Sequence, residues 1–547
     1  MMADSIPRYV DARELKAWIH DEAELALLDV REHGQFGEDH LFFAVPLPYS
    51  ELELHIARLV PRRTTRTVVY GDAATEPAVL AAAQALDRLG YGAVHVLRGG
   101  IQAWKDAGHA TFAGVNLPSK TFGELAEHAY HTPSVSARQL REMLNDASQK
   151  VVVLDGRPVS EYRKMNIPGA ICCPNGELAL RVDQLVPDPD TKVVINCAGR
   201  TRSIIGAQTL INLGIPNPVY ALENGTQGWY LEDLPLEHQS ARVYPETVPE
   251  TAMGGLRERA ARLRERFAIP TVDAARVREW LADATRNVFL CDVRTEEEHR
   301  RGDLPGLAQH TPGGQLIQAT DQYIGVRKAR IVLCDTDGVR APVVATWLKQ
   351  QGWDVSLLEQ PQQLGDLPAP AALLPQLAHA RDLEPTELAA YLGGHPDALV
   401  LDARPSASFR QASLRGAQWV IRPILAQRLA GRPQGPVLLL GASRAKLALL
   451  AGDLERAGWR DIRLCLADEP QLRASGLPMA ANDDMPDEAC IDYLFFVHDR
   501  HDGNKAAARK YLEWETNLVS QLDEQERDTF SIGLEPDHRR TTTCTNP

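Results

Sequence analysis

The sequence lacks any run of about 18 apolar residues, so no membrane-spanning helix is expected. It also lacks a positive excess. Lys and Arg number 59 against 73 Asp and Glu, a formal net charge of −14. That argues against general affinity for nucleic acid or anionic membrane, while leaving room for a local basic pocket. The opening "MMADSIPRYVDARELKAW" has no basic start followed by an apolar core, so no secretory signal is expected. The eight cysteines contain no CxxC pair and no regular framework. Reduced thiols in a cytoplasmic protein fit that usage best, most of them core residues. What is present is ordinary globular composition, 44% hydrophobic and 24% charged, in a 547-residue chain. At about 100–150 residues per domain, that length predicts roughly four domains.

One unit is written four times. An apolar run ending in Asp-x-Arg recurs as "LALLDVRE", "VVVLDGRP", "VFLCDVRT" and "ALVLDARP". The pairs are Asp29 and Arg31, Asp155 and Arg157, Asp292 and Arg294, and Asp402 and Arg404. An amphipathic helical pattern precedes each: "DARELKAWI", "SARQLREML", "DAARVREWL" and "EPTELAAYL". A second apolar run follows and turns at once into another helical pattern, and a helix, a glycine and a further strand close the unit. This alternation describes an α/β fold, four tandem units around small parallel sheets flanked by helices. Spacing from each Asp to the second strand's exit is 43, 42, 43 and 39 residues, to Asp72, Cys197, Asp335 and Gly441. These four are expected at equivalent strand-to-helix turns. Cys334 falls one place early, where the second unit has Asn196.

The expected boundaries are 1–112, then a linker containing "FAGVNLPSKTFGE"; 132–240; a polar helical stretch leading to 269–362; and a Pro- and Ala-rich stretch leading to 378–480. A tail over 481–547 is expected to hold an amphipathic helix that docks Tyr511 and Trp514, with Asp-Gly as a turn and Asn504 as N-cap. The cluster His498, Arg500, His501 and Asp502 has no specific ligand spacing and reads as a polar turn, not a metal site. No metal or other cofactor is expected.

The turn "NCAGRTRS" carries the chemistry. In an open α/β sheet ligands bind at the carboxyl ends of strands, and a strand-loop-helix turn collects backbone N–H groups and helix-end positive charge. Cys197 at the bottom of that bowl is expected to have a lowered pKa and to act as nucleophile. Ala198, Gly199, Arg200, Thr201, Arg202 and Ser203 form the expected substrate loop. Gly199 permits the twist, the two arginines add forked donors, Thr201 and Ser203 add hydroxyls, and Ser203 is placed to cap the helix. Asp155 and Arg157 recur in units without a thiol, which fits a supporting structural pair. Cys172 and Cys173 read as strand residues. Tyrosine-phosphatase-type sites separate cysteine and arginine by five residues, whereas only four separate Cys197 from Arg202. The tighter bowl favours sulfur on the thiol over a phosphorus centre.

The Asp-x-Arg strand ends, "EYRKMNIPGAICCP", the loop "CAGRTR" and the closing "LENGTQGW" together resemble the rhodanese family. "LRGGIQAW" in the first unit matches the last of these. One departure is Asn166, where many members have His. The resemblance implies a sulfurtransferase in which Cys197 takes sulfane sulfur from thiosulfate or a similar small anionic donor. The resulting persulfide then passes its outer sulfur to cyanide, a thiol or a protein cysteine. The family's habit of pairing inactive with active domains implies pairs of units one with two and three with four, and an active cleft near the interface of one and two. Two alternatives stay open: a cysteine-based phosphatase or arsenate reductase, and a non-catalytic persulfide carrier or scaffold.

Overall fold

The computed structural model describes residues 7–495 and 504–533. Four five-stranded parallel sheets repeat one order; counted within each repeat it is first, fifth, fourth, second, third. The second repeat shows why. Its central strand Lys192–Asn196 lies between Val151–Asp155 and Val219–Leu222. Val193, Val194 and Ile195 are fully buried, as strands with helices on both faces require. The leading helices begin where capping chemistry places them. Asp11 accepts from the Glu14 amide, Ser136 forms a capping box with Gln139, and Asp273 accepts from the Arg276 amide. Each such cap is worth about 1 kcal/mol. The fourth repeat adds a two-residue antiparallel ladder between Ser413–Leu414 and Met479–Ala480.

The chain forms two compact bodies, and their membership corrects the expected pairing. Sheets one and four share one body; sheets two and three share the other, with the helices Leu117–Tyr130 and Lys505–Thr516. Complementary contacts account for this. In the first body Arg422 reaches Glu53 and the Tyr49 carbonyl. In the second, Arg340 reaches Glu177 at 3.0 Å and the Trp347 indole donates to Thr209 at 2.9 Å. The Cys197 loop is therefore closed from within the body that holds units two and three, not at an interface of units one and two.

Two further expectations change. The stretch read as a linker is the start of the helix Leu117–Tyr130. Leu117, Phe122 and Ala126 are fully buried, and Pro118 sits in the first turn, where its missing N–H costs nothing. The ladder also moves one equivalence. Asp29 pairs with Tyr70, Asp155 with Asn196, Asp292 with Cys334 and Asp402 with Leu440. One step beyond each partner stand Gly71, Cys197, Asp335 and Gly441, so Gly71, not Asp72, occupies the cysteine position of unit one. A second bond agrees. The Ile101 amide donates to the Gly71 carbonyl as the Thr226 amide donates to that of Cys197.

Each Asp-x-Arg pair is a buried ion pair at a strand exit. Arg157 donates to both Asp155 oxygens, at 2.9 and 2.8 Å, and to the Met165 carbonyl. Asp29, Asp292 and Asp402 hold their arginines the same way. Among the described residues no helix is long and apolar enough to cross a membrane. The cluster at 498–502, the Asp-Gly turn at 502–503 and Cys544 lie outside the described residues.

Candidate active site

Cys197 follows the strand Lys192–Asn196 directly and precedes the helix Thr201–Leu213 by three residues. Its neighbours lock it from beneath. Asn196 donates to Asp155 at 2.7 Å and to Thr226 at 3.0 Å, tying the strand end to the Asp-x-Arg pair and to the closing loop. Gly225 has φ +51°, and a Cβ there would stand 2.4 Å from the Cys197 carbonyl oxygen. Only glycine allows that approach, which explains "ENGTQGW". The amides of Ala198, Gly199, Arg200, Thr201 and Arg202 have no backbone acceptor among the described residues. They form the donor set of an anion-binding turn at a helix N-terminus.

The side chains of the loop are arranged differently from expectation. Ser203 does not cap the helix; the N-cap is Arg200, which has no side-chain cap bond. The Ser203 hydroxyl instead donates to the Cys197 sulfur at 3.1 Å. Arg202 is engaged by Glu161 in a two-bond fork, at 2.9 and 2.8 Å. Arg200 turns to the helix Leu117–Tyr130, where Glu124 and Glu127 accept from it, and to Asn224. Burial pushes Glu124 up to about 7 against the pull of Arg200.

The site is covered. Cys197 is 1% exposed. The helix Lys505–Thr516, capped by Asn504 as expected, lies over the loop. A Cβ on Gly199 would stand 2.8 Å from Glu515 Oε2 and 3.4 Å from the Tyr511 ring. Thr201 donates to Glu515 Oε1 at 3.0 Å. Lys120 donates to the Tyr511 hydroxyl at 2.5 Å and sits over the rings of Tyr511 and Trp514. Burial raises the Cys197 thiol above its ordinary value; Arg202 and the Ser203 hydroxyl oppose this, and Glu515 adds to it. In this covered form the thiol is therefore not the ready thiolate expected from the loop alone.

Sequence reasoning missed the carboxylates that answer the arginines and the lysine that seats the tail helix. Lys120, Glu124 and Glu127 are spaced for one helical face, a signal present in the stretch read as linker. Cys172 and Cys173 are buried free thiols, the first pushed to about 12 and the second well above its usual value. Neither is activated.

Comparison with known proteins accords with this geometry. The model of the rhodanese-like domain matches residues 11–107 and 136–232. A solved thiosulfate sulfurtransferase from Pseudomonas aeruginosa is similar at 39% identity and a TM-score of 0.86, over 96% of this chain and 100% of that one. The putative sulfur carrier protein YrkF of Bacillus subtilis (strain 168) is 27% identical over 104 residues, 19% of this chain and 54% of that protein, so the chain spans about half of that relative's length. With the family model met twice and one solved member matched along its whole length, the chain belongs to the rhodanese superfamily.

Proposed function

We propose that the protein moves sulfane sulfur from thiosulfate or a similar small anionic donor, through a persulfide on Cys197, to a thiol or protein-cysteine acceptor. The observation that carries this is the Cys197 sulfur at the strand exit, beside five loop amides without backbone acceptors and in reach of the Ser203 hydroxyl. In the first step the Cys197 thiol gives its proton to water and the thiolate attacks the donor's outer sulfur. The Sγ–S bond forms, the S–S bond to the sulfonyl group breaks, and sulfite leaves with the electron pair. The loop amides hold the anionic persulfide, which needs no proton transfer to persist. The likeness to a thiosulfate sulfurtransferase supports the donor class. The seven cysteines among the described residues are free, which supports a reducing, cytoplasmic setting.

Mass spectrometry of the intact protein after exposure to thiosulfate tests this. A gain of one sulfur in wild type, absent in Cys197→Ser, is the expected result. Sulfur on Cys334 in place of Cys197 would overturn the site.

The helix over the loop favours a second reading, a persulfide carrier that discharges to one protein partner. That reading expects slow turnover with cyanide and fast transfer to a protein thiol. Equal rates with both would dismiss it.

A further inference from the structure

The charges around Cys197 do not suit a doubly charged donor. Three cations stand at the site: Arg200, Arg202 and Lys120. Three carboxylates answer the arginines, Glu124, Glu127 and Glu161, and a fourth, Glu515, stands against the same loop. Glu515 differs from the other three. It is 2% exposed and forms no arginine pair; one oxygen accepts from Thr201, and Oε2 has no hydrogen-bond partner among the described residues. That oxygen lies against Gly199, on the loop that follows Cys197. A buried carboxylate oxygen left without a donor is costly, and here it sets an unpaired negative charge beside the loop.

We propose that Glu515 sets the donor selectivity of the Cys197 site, disfavouring dianionic sulfane-sulfur donors and favouring singly charged ones. This rests on the sulfurtransferase reading above. The mechanism is electrostatic. Coulomb energy scales with the donor's charge, so a fixed carboxylate opposes thiosulfate, at charge −2, twice as strongly in free energy as a thiosulfonate anion at −1. The wall is dry, which keeps the effect from being screened away. Glu515 is a positioning residue in this scheme, since it acts through the field it sets at the loop. Its influence on the thiol has the same sign, because its charge opposes the thiolate.

Methanethiosulfonate is the matched probe. It replaces one thiosulfate oxygen by a methyl group and transfers the same sulfur. Its S–S bond breaks, the Sγ–S bond forms, and methanesulfinate leaves with the electron pair. Rates of sulfur gain on Cys197 are to be measured with both donors, without acceptor, in the full-length chain. Glu515→Gln keeps size and shape. It is expected to raise loading by both donors, with thiosulfate gaining about threefold more than methanethiosulfonate, since the easier ionisation of the thiol is common to the two. Tyr511→Phe loosens the Lys120–Tyr511 contact without changing charge, so it is expected to shift both donors by one common factor. Equal gains for the two donors in Glu515→Gln, or no gain for either, would overturn the proposal while leaving the sulfurtransferase intact. Failure of both donors to load wild-type Cys197 would overturn the sulfurtransferase reading and this one together.

Discussion

Two turns in one body differ in more than the residue at the cysteine position. The turns at Cys197 and Asp335 each sit one step past the strand partner of a buried Asp, and each leads into a helix. In the first, the loop amides have no backbone acceptor and the side chain is a thiol held only by Ser203. In the second, the loop has closed on itself. Asp335 accepts from the amides of Gly338 and Ala341 at 3.0 and 2.8 Å, and Asp337 takes those of Val339 and Arg340 at 2.7 and 2.9 Å. Arg340 is held by Glu177, Glu298 and Asp337. A cavity of about 450 Å³ remains beside Asp335, so this turn has room but four of its amides are already taken, whereas the Cys197 loop keeps its donors under a cover. The third repeat thus differs from the second in amides satisfied within the loop as well as in the missing thiol. The Gly71 and Gly441 positions fail in a third way. A Cβ at either would meet a neighbour's side chain, Thr75 in one and Leu447 in the other, at 2.4 and 2.6 Å.

The comparison breaks most visibly if the Asp335 turn can be made reactive by one residue. In Cys197→Ser combined with Asp335→Cys, the thiol is placed in a loop two of whose amides, those of Val339 and Arg340, are still held by Asp337. Sulfur gain from thiosulfate is expected to fall by roughly a thousandfold or more against wild type, since loss of even one oxyanion donor costs 10²–10³. Intact-mass measurement reads it. Loading at position 335 at a rate near that of Cys197 would show that the nucleophile alone made the difference.

The next effect concerns what the turns of all four repeats share. Asp155→Ala strands Arg157, 1% exposed, without its carboxylate, and Asp402→Ala does the same to Arg404. Each is expected to cost about 3–5 kcal/mol in the unfolding transition of its own repeat, followed by guanidinium denaturation. The two costs are expected to match although only one repeat has a thiol. A variant of Asp155 that keeps wild-type stability yet loses sulfur loading would make the pair part of the chemistry.

Legibility in the sequence follows the range of the interactions. The repeat, the parallel sheets and the Cys197 turn were readable because each is written within about 50 residues, in period, caps and glycines. The one-residue slip at Gly71 arose because strand spacings of 39 to 43 cannot settle a register that the ladder fixes. The tail helix and its Asn504 cap were local and legible, but its target was not, since Glu515 meets a threonine 314 residues away. The pairing of repeats was misjudged for the same reason. Contacts such as Arg422 with Glu53 join positions 369 apart and leave no periodic trace. The pKa of Cys197 inverted because the loop supplies cations while distant segments supply burial and carboxylates.

That inversion gives the mildest test of the contrast between an open and a covered loop. A thiol raised above its ordinary value by burial is mostly protonated at neutral pH, so little thiolate is present and alkylation is slow. Raising the pH deprotonates it, and the rate of modification by iodoacetamide, located on Cys197 by peptide mapping, is expected to climb about tenfold per unit from about pH 6 to 8. A loop left open, with its arginines and amides facing the sulfur, would instead give a fast rate that is flat over that range. Glu515→Gln removes one of the charges that oppose the thiolate, so its rising limb is expected at lower pH than that of wild type. A flat wild-type profile would mean that the helix Lys505–Thr516 does not cover Cys197 in solution, and the difference between the two turns would then reduce to their amides alone.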